Sequence, residues 1–151
     1  MAEINKAVSS ALSVEEKTIA PAASGGGSQG VQEYFIPLGS GVISSQTLMT
    51  ISGMQATIDG SAYGNIETAT FEITVSIPTG NQTANFQLYN STANHPVWNS
   101  SVNFAGGGTP QLLISSPITL DPGSNTYVVQ GSTQLQYPAY ITQARVHIIT
   151  Q

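Results

Sequence analysis

No cysteine occurs in the 151 residues, so disulfides and cysteine-held metals are excluded. Cations are nearly as scarce: Lys6, Lys17 and Arg145 are the only three. A phosphate backbone demands clustered Lys and Arg, which excludes nucleic-acid binding and disfavours an anionic membrane surface. No stretch approaches the roughly 18 apolar residues of a membrane span. The opening MAEINKAVSSAL lacks both the basic n-region and the unbroken apolar run of a signal peptide. Charged residues make up only 7% of the chain, against a usual value of about 25%, and the net charge is −5. Hydroxyls and amides fill the gap, giving a surface whose hydration depends little on ionic strength.

The few charges are unevenly placed. Glu3, Lys6, Glu15, Glu16 and Lys17 precede the stretch TIAPAASGGGSQG, whereas Tyr34 to Gln151 carry only Asp59, Glu67, Glu72, Asp121 and Arg145. Three parts follow: an N-terminal docking arm over 1–20, a Gly/Ser-rich linker over 21–31, and a domain over 32–151. Within the arm, Ile4, Val8 and Leu12 recur at helical spacing and predict a short helix that needs a surface to lie against. Ser13 to Glu16 read equally as a capping box that opens a later turn, and an extended arm is the other option.

From Gln32 the hydrophobic period becomes two. In ETATFEITVSIP, Ala69, Phe71, Ile73, Val75 and Ile77 share one face, and Thr70, Glu72, Thr74 and Ser76 share the wet one. ANFQLYN and YITQARVHIIT alternate likewise, and VWNSSVNF sets Trp98, Val102 and Phe104 on one face. IPTGN, AGGGTP and LDPGSN punctuate these runs with Gly and Pro. Strands are expected over 32–38, 42–51, 53–59, 66–77, 84–90, 97–104, 111–120, 126–131 and 140–150. This is an all-β pattern, a β-sandwich with an eight-stranded jelly roll as the leading architecture and an immunoglobulin-like sandwich as the alternative.

Catalytic signatures are missing. Only His95 and His147 could serve as an imidazole base, and there is no G-x-S-x-G elbow. His147 reads as a surface or hydrogen-bonded sheet residue, and His95 as a turn residue before Pro96. Glu67 and Glu72 are five apart, so along a strand they face opposite ways and cannot form a carboxylate pair without a bulge. Asp59 and Asp121 precede small turns and read as Asx-turn residues. No spacing of His or acids suggests a metal, and no cofactor is expected. Binding chemistry is better represented. LYNSTANHPVWN gathers Tyr89, His95 and Trp98 with Asn90, Asn94 and Asn99, and QLQYPAYIT adds Tyr137 and Tyr140. Aromatic faces ringed by amides and hydroxyls suit a sugar, although the period shared with Val102 and Phe104 predicts a buried Trp98.

The closing stretch SPITLDPGSNTYVVQGSTQLQYPAYITQARVHIIT resembles the last strands of small β-sandwiches in tailed-phage virions, among them capsid decoration (cement) proteins and fibre heads. That resemblance implies a structural or binding role, no enzymatic activity, and a virion location after synthesis in the host cytoplasm. The expectation drawn from it is a cement protein. Ile4, Val8 and Leu12 would dock the arm on the major capsid protein, the linker would absorb lattice mismatch, and copies would associate through sandwich faces as a homotrimer. The alternative is a receptor- or carbohydrate-binding fibre head using Tyr89, His95, Trp98, Tyr137 and Tyr140. Exposure of Trp98, Tyr137 and Tyr140 at one loop end would favour the second reading, and burial of all three the first.

Overall fold

A computed structural model describes residues 30–79 and 81–151. The arm over 1–20, with Ile4, Val8 and Leu12, and nearly all of the linker lie outside the described residues.

Nine strands form two antiparallel sheets. They are β1 (Gln32–Ile43), β2 (Met49–Asp59), β3 (Ile66–Ile77), β4 (Ala84–Asn90), β5 (His95–Pro96), β6 (Val102–Phe104), β7 (Gly107–Ile114), β8 (Ser124–Thr133) and β9 (Ala139–Thr150). One sheet runs β1-β9-β3-β7; the other runs β2-β8-β4-β5, with β6 also paired to β4. If β5 and β6 count as one broken strand, the chain crosses between sheets at almost every connection and its first strand lies beside its last. That is the winding of a jelly roll, the leading expectation from the sequence. Among the described residues the one helical piece is a 3-10 turn over Gly60–Tyr63. It opens as an Asx turn, with the Ser61 amide donating to Asp59 Oδ1 at 3.0 Å, as the sequence predicts.

Period-two patterning builds the core. Phe71, Ile73, Val75 and Ile77 of β3 meet Phe86 and Leu88 of β4, Tyr127 and Val129 of β8, and Val146 and Ile148 of β9, all at most 1% exposed. Each large side chain buried this way contributes on the order of 1.5–3 kcal/mol.

Several strand boundaries differ from expectation. The expected 42–51 is interrupted by the connection 44–48, and β7 ends at Ile114 rather than at 120. Three further differences have a local reason. β1 runs unbroken through Gly39 and Gly41, where the ladder to β9 shifts register and the strand bulges rather than ends. β7 begins at Gly107, inside the expected glycine turn, so AGGG bends the chain directly into a strand. There Gly106 has φ of +106°, and an added Cβ would lie 2.5 Å from the Gln82 carbonyl, so no other residue fits. Of the expected strand over 97–104 only β6 is strand; a turn occupies its start, and β5 precedes it.

Glu72 is a further correction. It sits on the outer face with Thr70 and Thr74, as its period requires, yet it is only 5% exposed. Its Oε1 accepts from Arg145 Nε at 2.7 Å, and its Oε2 lies 2.9 Å from His147 Nδ1. His147 Nε2 continues to Glu33 Oε1 at 3.1 Å. Phe35 stacks on the imidazole at 4.3 Å and lies 4.4 Å under the guanidinium, roofing the group against water. His147 is thus the satisfied sheet histidine that its position predicts.

One buried side-chain atom among the described residues lacks a partner, the hydroxyl of Thr133 at the end of β8. Replacing it with a methyl of similar size removes an unpaired polar group. Thr133→Val is therefore expected to raise unfolding stability by about 1 kcal/mol in urea titrations.

Candidate functional site

Strand β4 ends at Asn90, and the chain must reverse at once to return as β5. Asn90 is fully buried and directs the reversal. Its Oδ1 accepts from the amides of Thr92 and Ala93, both at 3.0 Å, and its Nδ2 donates to Asp121 Oδ2 at 2.6 Å. Asn94, at φ 60°, completes the turn and delivers His95 opposite Asn90.

The second turn decides the character of the site. The Ser100 amide donates to the Val97 carbonyl at 3.2 Å, closing a four-residue turn with Asn99 at φ 70° in its third position, where Asn and Gly are favoured. Val97 is held inward by the hydrogen bond that its amide donates to the Leu88 carbonyl at 3.0 Å. The Ser100 hydroxyl takes the place of a ladder partner, accepting from the Leu88 amide at 2.9 Å and donating to the Val97 carbonyl at 2.6 Å. Trp98 is left at the turn's tip, 73% exposed. The buried position predicted from its period with Val102 and Phe104 is therefore overturned: those two are buried, but the turn between them and Trp98 breaks the alternation.

Beside the indole lies an open cleft of about 360 Å³, lined by His95, Val97, Trp98, Asn99, Thr119 and Asp121. Asp121 and Thr119 arrive on the connection between β7 and β8. The Asx-turn reading of Asp121 is corrected, because its Oδ2 faces His95 Nε2 at 2.9 Å as well as Asn90. Its own amide donates to the hydroxyl of fully buried Tyr127 at 2.9 Å. Sequence reasoning missed Asp121, Thr119 and Val97 as cleft residues; LDPGSN looked like turn chemistry, and no local pattern placed it against His95.

His95 has an acceptor at each ring nitrogen: the Pro96 carbonyl 2.8 Å from Nδ1 and Asp121 Oδ2 at Nε2. Both can be satisfied only if both nitrogens carry protons. The Pro96 carbonyl, and then the Asp121 carboxylate, raise its pKa above the ordinary imidazole value of 6.5, against the opposing effect of desolvation. With His147 held between Glu72 and Glu33, each histidine of the described residues has both nitrogens engaged. Neither faces a nucleophilic hydroxyl.

The remaining aromatics divide. Tyr89 is half-buried on β4, across from Pro96 and therefore next to the site. Tyr137 and Tyr140 are exposed but lie at the opposite end of the sandwich, on the connection between β8 and β9 and at the start of β9. Of the sequence-selected residues, His95 and Trp98 line the cleft, Tyr89 sits on the neighbouring strand with its side chain on the other face from His95, and Tyr137 and Tyr140 are remote. Among the described residues no three His, Asp or Glu side chains converge as a metal set.

A scan of family models and a search of curated proteins gave no match. Among solved structures, the chain is similar to the CBM36-1 domain of a multidomain xylanase from the hindgut metagenome of Trinervitermes trinervoides. That pair shares 10% identity at a TM-score of 0.49, covering 78% of this chain and 96% of the other. It is also similar to a carbohydrate-binding module, CBM36, in complex with calcium and xylotriose, at 16% identity and a TM-score of 0.46, over 78% of this chain and 99% of that one.

Proposed function

We propose that the domain is a non-catalytic binding module whose ligand is a saccharide, held at the cleft beside Trp98. The observation that carries this is the 73% exposure of the chain's one tryptophan on a rigid turn. An indole so placed offers an apolar face to the C–H side of a sugar ring. His95, Asn99, Thr119 and Asp121 surround it with the few convergent polar groups that orient a ligand, and the cleft volume lies at the lower end of the range for small-molecule sites. The engagement of both histidines argues for binding without turnover. Of the two virion readings, the fibre or receptor-binding head gains support from Trp98. Tyr137 and Tyr140 are exposed at the far end, so the single-end aromatic platform is reduced to Trp98. The cement reading depends on an arm outside the described residues and draws no support from the sandwich.

The test is a glycan array with the full chain, followed by titration of any hit. Binding should depend on pH through His95. Its folded pKa is raised, so the His95–Asp121 contact is complete below about 6.5 and is lost as pH rises through the higher folded value. Affinity is expected to fall over that window, and His95→Gln should flatten the profile. A wild-type affinity that is constant, or that rises with pH, would remove His95 from the site. An array without a hit would leave no basis for the saccharide.

A further inference from the structure

The end of the sandwich opposite the Trp98 cleft has a different character. Two connections meet there, 44–48 between β1 and β2, and 134–138 between β8 and β9. They are stitched together by the Thr133 amide on the Ser45 carbonyl at 2.7 Å and by Gln46 Nε2 on the Gln134 carbonyl at 2.9 Å. Gln82, only 2% exposed, clamps the second connection from beneath. Its Oε1 accepts from the amides of Leu135 and Tyr137 at 2.8 and 3.3 Å, and its Nε2 donates to the Tyr137 carbonyl at 2.6 Å. On this fixed frame Val42, Leu48, Met49, Leu135, Tyr137 and Tyr140 are each 42–52% exposed. Val42 and Tyr140 are cross-strand partners, and the other four lie on or beside the two connections; their summed exposed surface is on the order of 500 Å², the scale of a monomer's largest apolar patch.

Among the described residues the same end carries no charged side chain. The described residues hold five carboxylates and one guanidinium. Glu33, Asp59, Glu67 and Asp121 all lie toward the other end, as their pairing near Ile149, Ser124 and Thr150 shows. Glu72 and Arg145 pair with each other in mid-sheet, and Glu72 is about 13 Å along β3 from the Ser76–Tyr140 position.

We infer that this end is a self-association surface, occupied by the same end of a second copy about a two-fold axis. Charge distribution selects that occupant. A partner here must itself be apolar and uncharged, because a buried charge would find no counter-charge. Each copy carries a net negative charge of −5. Two copies repel least with these ends apposed, because the carboxylates of Glu33, Asp59, Glu67 and Asp121, four of the five among the described residues, then lie toward opposite poles, many screening lengths of ~8 Å apart. A two-fold arrangement supplies a matching apolar, charge-free surface without any other molecule. The clamped frame loses little freedom on docking, which favours association of a patch of modest size.

Light scattering on the full chain at its highest soluble concentration tests this. The expected mass is about twice 15.7 kDa. Leu48→Ser combined with Leu135→Ser should give the single-chain mass with unchanged circular dichroism, because both side chains are already half in water. Trp98→Ala, at the other end, should remain dimeric. A wild-type monomer overturns the inference, and so does a monomer that instead binds phosphatidylcholine vesicles through these residues. An oligomer whose mass the double variant leaves unaltered, or a mass of three chains, overturns it as well.

Discussion

Trp98→Ala is expected to lower saccharide affinity by about 100-fold while leaving unfolding stability within about 0.5 kcal/mol of wild type. The two halves of that expectation share one cause. The indole is 73% exposed and contributes little to the core, so its removal opens no cavity. The same exposure makes its face the largest apolar surface that a ligand in the cleft could cover. Truncating a central aromatic anchor costs roughly 2–4 kcal/mol in comparable binding sites, and 1.4 kcal/mol is tenfold. Calorimetric titration of an array hit reads the affinity, and a urea melt reads the stability. Trp98→Phe should retain most of the binding. Tyr137→Ala should retain all of it, because Tyr137 is carried by the clamped connection at the opposite pole. Wild-type affinity in Trp98→Ala would end the proposal, since no Phe or Tyr ring lines the cleft among the described residues.

Glu72→Ala carries the largest expected loss of stability, about 3 kcal/mol by urea denaturation. Breaking a buried ion pair by removing one partner typically costs 3–5 kcal/mol, because the survivor keeps its desolvation penalty without its counter-charge. Here Arg145 loses its carboxylate partner and His147 keeps only the exposed Glu33, both beside the ring of Phe35. The figure lies at the lower end because their side chains retain 28% and 19% of their exposure and can recover some water. Glu67→Ala is the control: that carboxylate is exposed, and its loss should stay within about 0.5 kcal/mol. If Glu72→Ala proved as mild as Glu67→Ala, the group would be a surface decoration rather than a buried network.

Much of the architecture was legible along the chain because a strand's faces alternate with a fixed period. β3 and β4 match the expected 66–77 and 84–90 at both ends. Where the period was interrupted, legibility failed. Gly39 and Gly41 looked like a break and are bulges, because the partner strand β9 holds the ladder together across them. Trp98 looked like core because alternation was extended through VWNSSV. One left-handed Asn99 and one hydrogen-bonded Ser100 suffice to turn the ring outward. The candidate site was half readable: His95 and Trp98 fall close together along the chain, whereas Asp121 joins them from 26 positions beyond His95.

By its own composition and periodicity, then, this chain determined an all-β sandwich with a nearly uncharged, amide-rich surface. Those features depend on local stereochemistry and on which side chains water rejects, and both act over a few residues. The tertiary structure alone decided which polar groups meet. It buried Glu72 against Arg145 and His147, brought Asp121 to His95, and separated Trp98 from Tyr137 and Tyr140 by the length of the sandwich. Such meetings depend on strand order and register between segments far apart in sequence, and no short-range pattern encodes them.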